Sequence, residues 1–289
     1  MTRAIAIDEP RRSPPESASS GAVEVVRMSF VAEASGESAV VRRFSQPHGA
    51  RAVTASHPEA TLDQVRGTPA GGTAIIAFVT ADAPAPILAS VRAKLGADAG
   101  EAPTASVKHG SERIEWWPGR ALVQGAAETR AAMQSALVDF MFYEEQLREL
   151  ERVVALGEGR AAADIELAHR IHPRDSARWH SLTDAMETCS RARLTFARLE
   201  PELSSDLSSL PPAARRWLER LYEAAVVEDR AEALNDRLEA LEDFYEGATQ
   251  RVADFRWYRE GRLLETTIIL ILIFECLLMA GDIYLHFAR

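Results

Sequence analysis

Two cysteines, Cys189 and Cys276, stand in 289 residues, too few for a disulfide framework and in keeping with a reducing compartment. Basic residues are also short. The 33 Lys and Arg against 43 Asp and Glu leave a net charge of -10, which argues against a protein that coats nucleic acid over a broad face. The segment Met1 to Asp8 holds no apolar core of signal-peptide length, and Asp8 and Glu9 are out of place in an organelle-targeting segment. Catalytic signatures are missing as well. Gly71 and Gly72 precede a strand without a phosphate-loop lysine, and there is no HExxH pattern. His169, His172, Asp175 and His180 lie close in sequence, but Pro173 turns the chain among them, so spacing defines no metal site. No catalytic residue, metal or cofactor is assigned from the sequence.

What is present is concentrated at the C-terminal end. From about Arg215 onward the sequence reads as one long helix that passes into TTIILILIFECLLMAG, residues 266–281. Ile268 to Phe274 are seven apolar residues in succession, and Thr266 to Phe287 are 22 residues. As a helix, a segment of that length spans roughly 33 Å, enough for a bilayer. Arg256, Trp257, Tyr258, Arg259 and Arg262 precede it as a basic and aromatic collar. The expectation is a single-pass C-terminal anchor in a cell inner membrane, with the lipid bilayer as a partner and the bulk of the chain cytoplasmic. Glu275, Asp282 and His286, seven and four residues apart, share one helix face and are the candidate intramembrane or oligomer contacts. The competing reading is a helix buried in a soluble bundle.

The length allows one large or two modest domains. Residues 1–22 are expected to be a flexible tail and 23–125 a small α+β domain. Its strands are Val23 to Val31, Ala39 to Phe44 and, most clearly, Thr73 to Thr80, followed by a helix over Ile87 to Leu95. Ser111 to Trp117 and Arg120 to Gln124 read as a strand pair across Pro118-Gly119. A helical domain over 126–262 and an anchor over 263–287 complete the plan: an α+β head, then a long-helix bundle or coiled-coil stalk, then one transmembrane helix. Glu128 to Leu156 is a strong helix ending near Gly157 and Gly159, with Glu144 and Glu145 placed on its solvated side. Further helices are read over Ala161 to His172 and Ser176 to Leu199, then a connector from Pro201 to Pro212. In the stalk, Leu234, Leu238, Leu241, Tyr245, Val252 and Phe255 follow heptad steps and should pack against one partner helix, either Glu128 to Leu156 or a second copy of the chain.

Three blocks resemble the RMD1/RMND1 family, also called the YagE or DUF155 family. They are QSALVDFMFYEE at 134–145, RAEALNDRLE at 230–239 and RLLETTIILILIFE at 262–275, with GTAIIAF at 72–78 in the place of the family's glycine-led strand. The family-motif polar residues are Gln134, Ser135, Glu144, Asn235, Arg237, Arg262 and Glu265. The resemblance implies a membrane-tethered scaffold that organises cytoplasmic machinery such as translation components, and it carries over no catalytic residues. The Ala, Arg and Glu-rich composition suggests a bacterial source. The favoured expectation is therefore a non-enzymatic, self-associating or partner-binding membrane protein. The alternative is a membrane-associated enzyme acting on a nucleotide or nucleic acid, with Glu144, Arg230, Asn235 and Arg237 as its candidate groups.

Overall fold

A computed structural model of the chain describes residues 23–31, 39–47, 50–56, 73–95, 102–165, 178–203 and 210–287. His169, His172 and Asp175 lie outside them, as does the N-terminal tail. Twelve elements follow in order: β1 (Val23–Val31), β2 (Ala39–Phe44), β3 (Ala50–Ser56), β4 (Thr73–Thr80), α1 (Ala85–Leu95), β5 (Ala105–His109), β6 (Glu112–Trp117), β7 (Arg120–Gly125), α2 (Ala127–Asp164), α3 (Trp179–Leu203), α4 (Pro212–Ala224) and α5 (Val227–Phe287).

The strands form one open seven-stranded sheet in the order β2-β3-β1-β4-β7-β6-β5. Its centre is β4, antiparallel to β1 and parallel to β7. The run AIIAFV at 74–79 is apolar throughout because both faces of this strand are covered. Ile75, Ala77 and Val79 meet Val91 and Leu95 of α1 on one face, whereas Ala74, Ile76 and Phe78 meet the larger core under α2 on the other. Arg92 of α1 holds the buried Glu115 of β6 in a bidentate pair at 2.7 and 3.0 Å, and Arg120 donates to the Leu95 carbonyl at 2.6 Å. Those contacts fix α1 to the sheet at the end of its last turn. Two strands were not anticipated. Residues 50–56 are mostly Ala, Ser, Thr and Arg, poor in strand formers, and become a strand because β1 and β2 pair with them on either side. β5 alternates only two buried side chains, Ala105 and Val107, and is held by its hairpin to β6.

Helix α2 begins against the sheet and leaves it. From Ala136 to Glu144 every residue is buried, since this part runs between the sheet and α4. Phe142 stacks on Phe44 of β2 with centroids 3.9 Å apart, and Phe140 meets Trp116 edge-on at 5.0 Å and Tyr222 of α4 at 5.9 Å. The helix does not stop at Gly157 but continues to Asp164. Gly157 faces α5, and a Cβ there would lie 3.1 Å from Leu241 Cδ1.

Beyond the sheet, α2, α3 and α5 form a three-helix bundle. Cross-helix contacts set the directions: α2 pairs Tyr143 with Glu202 and Asp164 with Arg178, so α3 runs antiparallel to it. Helix α3 places Arg193 on Asn235 and Trp179 under Arg256, so α5 is antiparallel to α3 and parallel to α2. Leu234, Leu238, Leu241, Tyr245, Ala248 and Val252 are buried in this bundle, and Phe255 is half-buried. The expected two-stranded coiled-coil stalk is corrected on this point, because the stripe is shared between two helices rather than zipped to one. The single long helix from Arg215 is also divided. Helix α4 ends at Ala224, and Val226, with φ +53°, turns the chain into α5.

The transmembrane anchor is corrected as well. Among the described residues no helix is long and apolar enough to cross a membrane. The 22-residue span to Phe287 includes Glu275, Asp282 and His286. The apolar run is preceded by Glu265 and interrupted by Glu275, and an intramembrane carboxylate is costly. The single-pass inner-membrane topology and the bilayer as partner lose their support with it. What is seen is an α+β head and a helical bundle whose last helix extends beyond its neighbours.

Candidate functional site

The polar residues singled out by sequence gather at a seam between α2 and α5. Glu144, Glu151 and Glu158 follow at seven-residue intervals on α2, and Arg230 and Arg237 do so on α5. Because the helices run parallel, the two series meet in register. Arg230 grips Glu151 through Nε and Nη2 at 2.8 and 2.7 Å and reaches Glu144 Oε1 at 3.3 Å. Arg237 grips Glu158 at 2.7 and 2.5 Å. Arg148, one turn after Glu144 on α2, binds the same Glu144 oxygen at 2.7 Å and lies 5.1 Å over Trp116. Glu144 is buried rather than solvated, and Glu144 Oε2 has no hydrogen-bond partner among the described residues. Burial pushes its carboxyl up, and the Arg148 and Arg230 guanidiniums pull against that. Arg230 is pushed further up, chiefly by the hydrogen bonds it donates to Glu151.

A second polar cluster was not anticipated. Asp139, 1% exposed, accepts from Arg42 of β2 at 2.8 Å, and its Oδ1 has no hydrogen-bond partner among the described residues. One turn on, Tyr143 donates to Glu202 of α3 at 3.1 Å, and Tyr222 of α4 donates to the Glu202 backbone carbonyl at 3.4 Å. Burial raises Asp139 to about 6, with Arg42 opposing the rise and Glu202 adding to it. The signal was there to be read. An aspartate in the middle of the apolar run ALVDFMFY at 136–143 has no solvated face available to it, so it requires a cation from another element.

The remaining sequence-singled residues are dispersed. Gln134 and Ser135 are half-buried on the head side, with Ser135 donating to the Ala131 carbonyl at 2.9 Å. Asn235 accepts from Arg193 at 2.6 Å. Arg262 lies 5.6 Å over Tyr258, and Glu265 is exposed. Thus Glu144, Arg230, Asn235 and Arg237, the groups offered for an enzyme acting on a nucleotide or nucleic acid, are engaged in helix pairing, and that alternative is corrected. Among the described residues no three His, Cys, Asp or Glu side chains gather where they could hold a metal ion.

The outer part of α5 differs from everything else in the molecule. From Arg256 to Met279 every described side chain is exposed. Ile268 to Phe274 are 51% to 62% exposed, although they are seven consecutive large apolar residues. Glu275 lies on this stretch, and Asp282 and His286 fall further along the same helix.

No protein-family profile matches the chain, and no curated protein matches it. Among solved structures it is similar to one described as the structure of the full-length CmaX protein, at 13% identity over 75% of each chain with a TM-score of 0.28. A likeness of that size decides nothing about activity, and the resemblance to the RMD1/RMND1 family rests on the three sequence blocks.

Proposed function

We propose that the protein is a self-assembling interaction protein, in which outer segments of α5 from three or more copies pack together and present the α+β heads at one end. The observation that carries this is the exposed run Ile268 to Phe274. Seven successive helical residues point in all directions around the axis, so no single neighbour covers them, and a helix apolar all round is one that is buried in its working state. The apolar surface from Leu263 to Met279 is on the order of 1,000 Å² per copy, comparable with the roughly 800 Å² per partner of a stable interface. A patch of that size is well beyond scattered surface leucines. In such an assembly Glu275, Asp282 and His286 are the polar contacts between copies. The sequence blocks shared with the RMD1/RMND1 family support an organising role, since the resemblance brings no catalytic residues with it.

Sedimentation velocity of the full chain should give one defined species of three or more copies, and Leu272→Arg should dissociate it while the circular dichroism of the folded bundle is retained. Cys276 is exposed and Cys189 is buried, so mild oxidation should join copies through Cys276 and fail in Cys276→Ser. A single-copy mass at all concentrations, or open-ended aggregation without a fixed stoichiometry, would refute the reading.

A further inference from the structure

We infer that a cavity inside the bundle is a binding site for a small aromatic monocarboxylate, with the ring among α2, α3 and α5 and the carboxylate at Arg160. The cavity has a volume of about 140 Å³. It arises because α3 presents the short side chains of Ala185, Cys189 and Ala192 opposite Leu238 and Leu241 of α5 and Val154 of α2. All six are buried, and the pocket they line opens to solvent past Leu156, Arg160 and Thr188. An engineered apolar cavity of about 150 Å³ takes up benzene, so one six-membered ring is the scale of ligand body this volume admits.

The polar groups at the cavity narrow the class further. Tyr245 is buried at its wall, and its hydroxyl donates to the Gly157 carbonyl at 3.5 Å, the outer limit of a hydrogen bond. At the mouth stand Leu156, Arg160 and Thr188, all exposed. The Thr188 hydroxyl is already turned to the Asp184 carbonyl at 2.8 Å. Asp164, one turn beyond Arg160 on α2, pairs with Arg178 instead. An apolar chamber with a guanidinium at its entrance selects an apolar body bearing one anionic group, and a carboxylate fits a guanidinium fork with two parallel bonds. Benzoate meets both requirements. The cavity lies between Val153 and Tyr245, inward of the exposed part of α5, so this inference stands or falls independently of self-assembly.

The test is calorimetric titration of the full chain with benzoate and, separately, with benzene. Both should bind. Arg160→Gln should weaken benzoate roughly three- to fivefold, the size expected for an exposed ion pair, and leave benzene unchanged. Ala185→Leu, which fills the chamber, should abolish both. In a Cys276→Ser background, benzoate should slow alkylation of Cys189, which lines the cavity; this readout needs no substitution in the core. Failure of benzoate to bind, binding of benzene alone, or benzoate binding that survives Ala185→Leu with Cys189 unprotected would overturn the assignment.

Discussion

Replacing Asp139 with Asn isolates the cost of burying one carboxylate between the sheet and the bundle. In the folded protein its carboxyl titrates at about 6 against an ordinary value of 3.8, chiefly because burial disfavours the charge more than Arg42 favours it. The folded state therefore takes up the proton more readily than the unfolded chain. The stability this group contributes is fully present below pH 3.8 and is lost as the pH rises through 6. A shift of about two units corresponds to about 3 kcal/mol. Urea titrations followed by tryptophan fluorescence suit the measurement, since Trp116, Trp117 and Trp217 are buried in the folded state. Glu144 is shifted in the same direction, but it is common to both proteins and drops out of the difference. Between pH 7 and pH 4 the wild type should gain roughly 2 kcal/mol relative to Asp139→Asn, the remainder appearing only below pH 3.8, where the unfolded carboxyl is protonated too. A difference that stays flat over that range, or that moves the other way, would show that pairing with Arg42 outweighs burial and would refute the reasoning.

Two further outcomes follow from the helix seam and the turn that precedes it. Arg230→Ala should cost about 2 kcal/mol because it removes the bidentate pair with Glu151 and one of the two cations on the buried Glu144, Arg148 remaining, whereas Arg237→Ala should cost less than about 1 kcal/mol, its pair with Glu158 being well exposed on both sides; equilibrium unfolding of the two variants side by side decides it. Val226 holds φ +53° at the end of α4, the position where glycine usually stands, so Val226→Gly should raise stability by about 1 kcal/mol, read as an upward shift of the melting temperature.

The elements with strong local signals were readable before the fold was seen. β4 announced itself through an unbroken apolar run between glycines and prolines, and the buried stripe of α5 through its steps of three and four. What could not be read depended on distant partners. β3 is a strand because two neighbours pair with it. Gly157 sits inside a helix rather than at its end, packed against Leu241 of α5, which no inspection of Gly157 and Gly159 alone discloses. Glu144 resembled a surface carboxylate because it adjoins Glu145 in a charged stretch of α2, and it is partners distant in the chain, among them Arg230 of α5, that close over it. The anchor failed for the opposite reason. Its apolar run is real, but Glu275 interrupts it, and no described helix is both long and apolar enough to cross a membrane.

The repeating acid and base positions along α2 and α5 have a consequence for how the bundle keeps its place. A ladder with identical rungs every seven residues has no unique zero. Sliding α5 by one heptad toward the sheet, about 10 Å, would set Arg237 on Glu151 and leave Arg230 on Glu144, with the charge pattern hardly altered. Registration must therefore come from features that do not repeat. Gly157 provides one, a single gap in a row of side chains shaped to admit Leu241. The abrupt turn at Val226 provides another, tying the start of α5 to a helix packed on the sheet. Attraction along this seam is generic, and its alignment is held by contacts that occur once: the gap at Gly157 and the corner at Val226, together with Arg193 on Asn235 and Arg256 over Trp179.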